Sequence, residues 1–349
     1  MKKLNPLLKN AALISVGGLI VKILGAFYRI PLNNILKADG LGIYQTAFPL
    51  YLILMTFSGA AATNAITKIV ASGENGEAVV RRALSIVLPL GFLGWLIMTA
   101  LSGALSAMQG NPQAKSSYIA LAPSLVFVSA ISVLRGYFQG KNNMKPTVFS
   151  QLTEQSVKIG AGLLLCFFFA SSPRRGAFLA CLAISLSELC AFIYLFVRYR
   201  LSSDKTCRLN KKYSVKRLIG QLLPIALTSC VLPLAKVYDS FTAINILSRY
   251  AKDANGLYGL YSGSVESLIG MPVAVCYGIA ASVLPSLTTA SAMGNTADAR
   301  KIVVQAFACT LFLSALAFAA IASFPKLIIK ILFSALSSES KNVLSGLIV

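Results

Sequence analysis

Eight ionisable residues lie inside otherwise apolar stretches of this sequence: Lys22, Arg29, Glu154, Lys158, Glu188, Lys236, Asp239 and Glu266. Each would cost ~2.5–3.5 kcal/mol facing lipid at a helix centre, so the set left unpaired costs ~20 kcal/mol or more. That exceeds the ~5–15 kcal/mol by which a whole domain is stable. These side chains must pair, reach a membrane boundary or line a wet cavity, and their spacing favours the cavity. Lys22, Ala26, Arg29 and Asn33 share one helix face. Gln151, Glu154, Gln155 and Lys158 share another, at i, i+3, i+4 and i+7. Gln221, Thr228, Lys236 and Asp239 fall close to a third stripe, on a segment expected to kink at Pro224 and Pro233.

A cavity with fixed cations suits an anionic ligand. Arginine fits a phosphate or pyrophosphate because its planar fork makes paired hydrogen bonds. Acids beside the cations keep such a site from trapping its ligand permanently, and they are the groups that could carry a coupling H+ or Na+. Tyr28, Tyr44, Tyr258 and Tyr261 offer apolar faces for sugar rings, although tyrosine near a membrane boundary also serves as a plain anchor. The competing structural reading is ion pairing that holds helices together. Glu154–Lys158 is the expected pair, in the favourable i, i+4 order, and Lys22 is placed to snorkel towards a boundary.

Enzyme signatures are missing: no Walker A, DxD, HExxH or GxSxG pattern occurs, and the chain contains no histidine. The seven cysteines form no CxxC and read as small buried hydrophobes. No cofactor and no metal are expected.

These side chains must be positioned by membrane helices. The chain is 56% hydrophobic with a mean hydropathy of +0.73, and apolar segments of about 20 residues, long enough to cross a bilayer, recur throughout. Only helices or closed barrels satisfy the backbone in lipid, and ten-residue alternating strands are absent. The fold class is therefore all-α and polytopic. Nine spans are expected, near 11–36, 43–71, 83–108, 116–139, 146–170, 177–200, 216–247, 257–289 and 299–323. The closing LSGLIV looks like the opening of a tenth.

A net charge of +21 would suggest nucleic acid in a soluble protein. Here most cations fall at alternate span ends, as the positive-inside rule requires with a cytoplasmic N-terminus, so no nucleic acid is invoked. Lys2, Lys3 and Lys9, then Lys68, Arg81 and Arg82, then Arg135, Lys141 and Lys145 occupy the inner side. The start imitates a signal peptide, but Lys22 and Arg29 continue its helical pattern, so an uncleaved first helix is expected.

The polar stretch after residue 201 divides the chain into an N-terminal lobe (1–201), a basic cytoplasmic linker (202–215) and a partial C-terminal lobe (216–349). Comparing the two sides reveals a repeat. GAFYRIPLNNIL (Gly25–Leu36) is similar to KVYDSFTAINIL (Lys236–Leu247), and Gly42-Ile43-Tyr44 to Gly256-Leu257-Tyr258. GAAATNAITKIVAS (Gly59–Ser72) is similar to GIAASVLPSLTTAS (Gly278–Ser291), and Arg81-Arg82 to Arg300-Lys301. Both copies carry the basic pair on the same side, which implies two parallel six-helix halves. By the same offset the second half should end near residue ~420. The sequence is thus expected to hold one complete half and part of another, about nine or ten transmembrane helices.

RGYFQGKNNMKPTVFSQLTEQSVKI (Arg135–Ile159), KILGAFYRIPLNNIL with GLGIYQTAFPLY (Lys22–Tyr51), and MPVAVCYGIAASVLPSLT (Met271–Thr288) resemble the polysaccharide-biosynthesis flippases of the stage V sporulation protein B type. These belong to the MATE-like MOP superfamily together with lipid II flippases. The resemblance covers essentially the whole chain. It implies a two-lobed bundle that moves undecaprenyl-pyrophosphate-linked sugars across the bacterial cytoplasmic membrane by alternating access. It also implies substrate binding by Arg29, the match to a first-helix arginine of the lipid II flippases; Lys22, Lys236, Asn33 and Tyr28 are the further residues expected to bind the substrate. Glu154, Lys158, Asp239 and Glu266 are the expected coupling and gating groups. Where those relatives carry Asp-Arg on the eighth helix, this chain has Glu266-Ser267. The competing expectations are a multidrug or organic-cation antiporter on the same fold, a membrane glycosyltransferase, and an inactive fragment.

Overall fold

The computed structural model describes residues 6–202, 214–292 and 295–348. Most of the expected basic linker (202–215), with Lys205, Arg208, Lys211 and Lys212, lies outside the described residues, as do Lys2 and Lys3. Every regular element that is described is a helix.

α1 (Pro6–Met55) runs through Lys37, whose φ of 56° and ψ of −169° are non-helical. At 1.5 Å per residue its 40-residue apolar part, Val16–Met55, would measure ~60 Å, twice the ~30 Å of a bilayer core. The break at Lys37 divides it into two spans, as the sequence predicts. The second continues through a π-helical stretch, Thr56–Ala60, into α2 (Ala61–Ala71).

α3 (Gly76–Ala100) starts at Asn75, whose side chain accepts from the Ala78 amide. The short α4 (Ser102–Met108) and α5 (Lys115–Leu121) lead to α6 (Ser124–Gly140). α7 (Lys145–Phe169) begins with Pro146 in its first turn, where a missing N–H is harmless. α8 (Pro173–Ser202) closes the first half.

The second half opens with α9 (Val215–Ser229) and α10 (Val231–Leu247), which meet at a 46° bend. The expected kink falls at Cys230, between the two prolines. α11 (Ala254–Gly259) is capped by Asp253, and a second π-helical stretch, Leu260–Val265, joins it to α12 (Glu266–Ala292). α13 (Thr296–Ser323), α14 (Pro325–Leu332) and α15 (Ser338–Ile348) follow.

Among the described residues six helices are long and apolar enough to cross a membrane, or seven counting α9 with α10 as one bent span. Of the nine expected spans, most of 11–36 and the first part of 43–71 fall on the one stretch Val16–Met55 that is broken at Lys37, and 257–289 falls on α11, the π-helical stretch Leu260–Val265 and α12.

α1 is the shared wall, packed on α7 and α8 of its own half and on α10, α11 and α12 of the other. α2 meets α6 where Gly136 and Gly140 stand: a Cβ on Gly136 would lie 2.8 Å from Ile66 Cβ and 2.9 Å from the Thr63 carbonyl. Such small residues let helix backbones approach in lipid, where no hydrophobic force drives association. Thr63 uses the approach, donating to the Ser132 carbonyl at 3.1 Å.

Candidate functional site

Helix faces bring the predicted charges to one place. An open cavity of about 470 Å³ is lined from α1 by Lys22, Tyr28, Arg29, Asn33 and Gln45. α7 supplies Glu154, Gln155 and Lys158, α8 supplies Glu188, and α12 supplies Ser267 and Gly270. A smaller pocket of about 120 Å³ adjoins it, lined by Lys236, Asp239, Tyr258, Tyr261 and Glu266. Arg29, Gln45, Phe48 and Leu52 line both. All nine expected site residues therefore stand on the walls of these two spaces, with Arg29 between them.

Their partners differ from the expectation in one respect. Glu154 is held by Arg135 at 2.9 Å, not by Lys158. The sequence reading put Arg135 in a basic turn at the inner side. The structure keeps it within α6, five residues before the helix ends, with its side chain turned towards α7. Its Nε donates to Ser150 Oγ at 2.9 Å while its Nη2 donates to Glu154 Oε2. The turn itself holds Lys141, whose Nζ pairs with Glu77 at 2.8 Å.

Lys158 lies within electrostatic reach of Glu154, Glu188 and Arg29, and Glu188 within reach of Glu154, Arg135 and Lys158. The first-half wall is thus a mixed cluster of three cations and two acids. Across the cavity Lys236 donates to Glu266 at 2.6 Å, with both side chains part-exposed. Asp239 and Arg29 are exposed, and among the described residues neither takes part in an ion pair.

The remaining expected ligands have structural duties. Asn33 is buried and donates to the Gly263 carbonyl at 3.3 Å. Tyr28 is buried too, with its ring beside the bare backbone of Gly162. Gln45, which the sequence reading did not single out, donates to the Ser262 carbonyl at 3.1 Å and lines both spaces. Arg135 and Gln45 were legible only as polar residues on helices; nothing local marks which wall they face.

Towards the Lys37 end the cavity is sealed. Leu36, Leu41, Ile43, Thr46, Gln109 and Tyr258 are buried. Gly42 and Gly259 touch, since a Cβ on Gly259 would fall 2.4 Å from the Gly42 nitrogen. Lys22 and Arg29, nearer the N-terminus, are exposed.

Comparison with known proteins agrees with this architecture. Residues 7–291 match the family described as polysaccharide biosynthesis protein. The chain is 24% identical over 301 residues to stage V sporulation protein B of Bacillus subtilis, covering 80% of this chain and 58% of that protein. It is 21% identical over 341 residues to the lipid II flippase MurJ of the same organism, covering 88% and 62%. The chain therefore spans about three fifths of the length of these curated relatives. An inward-facing multidrug resistance MATE transporter of the MOP superfamily superposes with a TM-score of 0.71 at 15% identity, covering 95% of this chain and 79% of that one. An outward-facing MATE structure gives 0.68 at 17% identity, covering 98% and 77%. This multi-pass membrane chain, with the helical fold of the MATE transporters, belongs to the polysaccharide biosynthesis protein family.

Proposed function

We propose that the protein is a flippase for a lipid-linked anionic oligosaccharide, an undecaprenyl-pyrophosphate-linked sugar such as lipid II, in the bacterial cytoplasmic membrane. The observation that carries this reading is Arg29, an exposed guanidinium shared by both spaces; of the acids near it, Glu154 pairs with Arg135 and Glu266 with Lys236. A free planar cation between two polar walls is suited to a pyrophosphate. Lys22 and Lys158 add positive potential from the first half. Asp239, Glu154, Lys158 and Glu266 are the groups through which H+ or Na+ binding would bias the cavity. The basic span ends favour a cytoplasmic N-terminus; with that orientation the sealed Lys37 end faces outward and the exposed Lys22 end faces the side where such lipids are made. This is transport without bond-making chemistry.

A second reading, export of an organic cation, is favoured by one observation. Of the two acids in the smaller pocket, Asp239 is exposed and among the described residues takes part in no ion pair. Competition separates the two. In the reconstituted protein a short-chain lipid pyrophosphate should displace bound lipid-linked sugar, and a cationic dye should not. Displacement by the dye alone would transfer the assignment to the antiporter.

A further inference from the structure

Two asparagines, one from each half, reach across the interface in the same way. Asn34 of α1 donates from Nδ2 to the Leu332 carbonyl at 2.9 Å and accepts the Ala335 amide at 3.2 Å. Asn245 of α10 donates to the Met108 carbonyl at 2.8 Å while sharing its amide with the Phe241 carbonyl at 2.7 Å. Met108 is the last residue of α4 and Leu332 the last of α14. Each of these short helices follows a long one, α3 or α13, at the corresponding place in its half. Asn34 and Asn245 occupy the same position in matching segments, LNNIL and AINIL, of the internal repeat. The two contacts are therefore copies of one contact, related by the repeat and exchanged between the halves.

Both lie at the Lys37 end. The last carbonyls of a helix have no partner within it, so each asparagine caps an orphan acceptor belonging to the opposite half. Between the two contacts, beside the meeting side chains of Asp39 and Asp253 at the rim, neutral groups bond to one another. Asn111 donates to Thr46 Oγ1 (3.0 Å) and Asn255 Oδ1 (2.6 Å), Gln109 donates to Ser240 Oγ, and Tyr118 donates to the Thr46 carbonyl (3.2 Å). Neutral bonds of this kind exchange for water at small net cost, which suits a contact that must open and close, whereas an unpaired buried charge would hold one state.

We propose that Asn34 and Asn245 form a two-point latch that keeps the Lys37 end of the cavity shut, both points releasing together when that end opens. The latch concerns the closed state alone. Its test needs no cargo, so a failed flipping assay and a failed latch test are distinguishable.

The experiment is amide hydrogen exchange on the reconstituted chain, comparing wild type with Asn34→Leu and Asn245→Leu. Each substitution removes one contact, and the readout is the other contact. Asn34→Leu should speed exchange about tenfold around 105–111 as well as at 332–336, and Asn245→Leu should do the reverse, because opening free energies are shared within a cooperative unit. Acceleration confined to the mutated contact would reduce the asparagines to independent helix caps and overturn the proposal. Should a leucine variant not fold, the corresponding alanine variant deletes the same bonds without added apolar bulk, and the same cross-effect decides.

Discussion

Arg135 of α6 and Glu154 of α7 form a 2.9 Å ion pair whose side chains are only 16% and 18% exposed. It leaves Lys158, one turn along α7, facing the cavity. Removing one partner of a mostly buried pair strands the other, at ~3–5 kcal/mol. Arg135→Gln should fall near the lower end of that range because some solvent reaches the pair. Arg135→Gln with Glu154→Gln should recover much of the loss. Thermal unfolding of the purified variants in detergent checks both, and equal destabilisation by single and double variants would mean the pair is not the cause.

Arg29→Ala should cost about 10- to 100-fold in affinity for a lipid pyrophosphate, the equivalent of losing one charged hydrogen-bonding group at ~1.5–3 kcal/mol. Arg29→Lys should fall between the two, since an ammonium keeps the charge and loses the fork. Unfolding temperature should not drop, because among the described residues Arg29 holds no ion pair. Titration of reconstituted protein with the lipid reads the affinity.

The Lys236–Glu266 pair predicts the opposite separation. Its side chains are 43% and 34% exposed, so either neutral variant should change stability by no more than ~1 kcal/mol. Glu266→Gln removes negative charge beside Arg29, and its effect should show in ligand preference: weaker retention of a cationic dye, with the anionic lipid held as tightly or better. Paired binding isotherms measure it.

Gly136→Ala should destabilise the α2–α6 contact by ~1–3 kcal/mol, because the added Cβ meets Ile66 Cβ at 2.8 Å and the Thr63 carbonyl at 2.9 Å. Gly160→Ala on α7, where a Cβ meets nothing within 4 Å, is the control and should be neutral or slightly stabilising. Thermal unfolding distinguishes them.

Much of the architecture was legible because it is written in local periodicity. The run 145–169 had to be a membrane helix whose polar face carries Glu154, Gln155 and Lys158, since 3.6 residues per turn determine which side chains share a face. The halves were legible too, because Gly42-Ile43-Tyr44 and Gly256-Leu257-Tyr258 repeat whatever their surroundings. The same reasoning misplaced Arg135, since a cation near a helix end beside Lys141 and Lys145 looks like part of a loop.

What the sequence by itself determined was which residues are helical, which charges lie within apolar segments, and which of them share a stripe. Only the tertiary structure decided who meets whom. Glu154 takes Arg135 from the preceding helix over the lysine one turn away, Lys236 takes Glu266, Arg29 falls to both pockets, and Asn34 closes on a carbonyl 298 positions later. The reason is physical: a helix's own geometry places its side chains about its axis, but partners across helices depend on rotation and approach distance. Those are set by distant contacts such as Gly136 on Ile66 and Gly42 on Gly259.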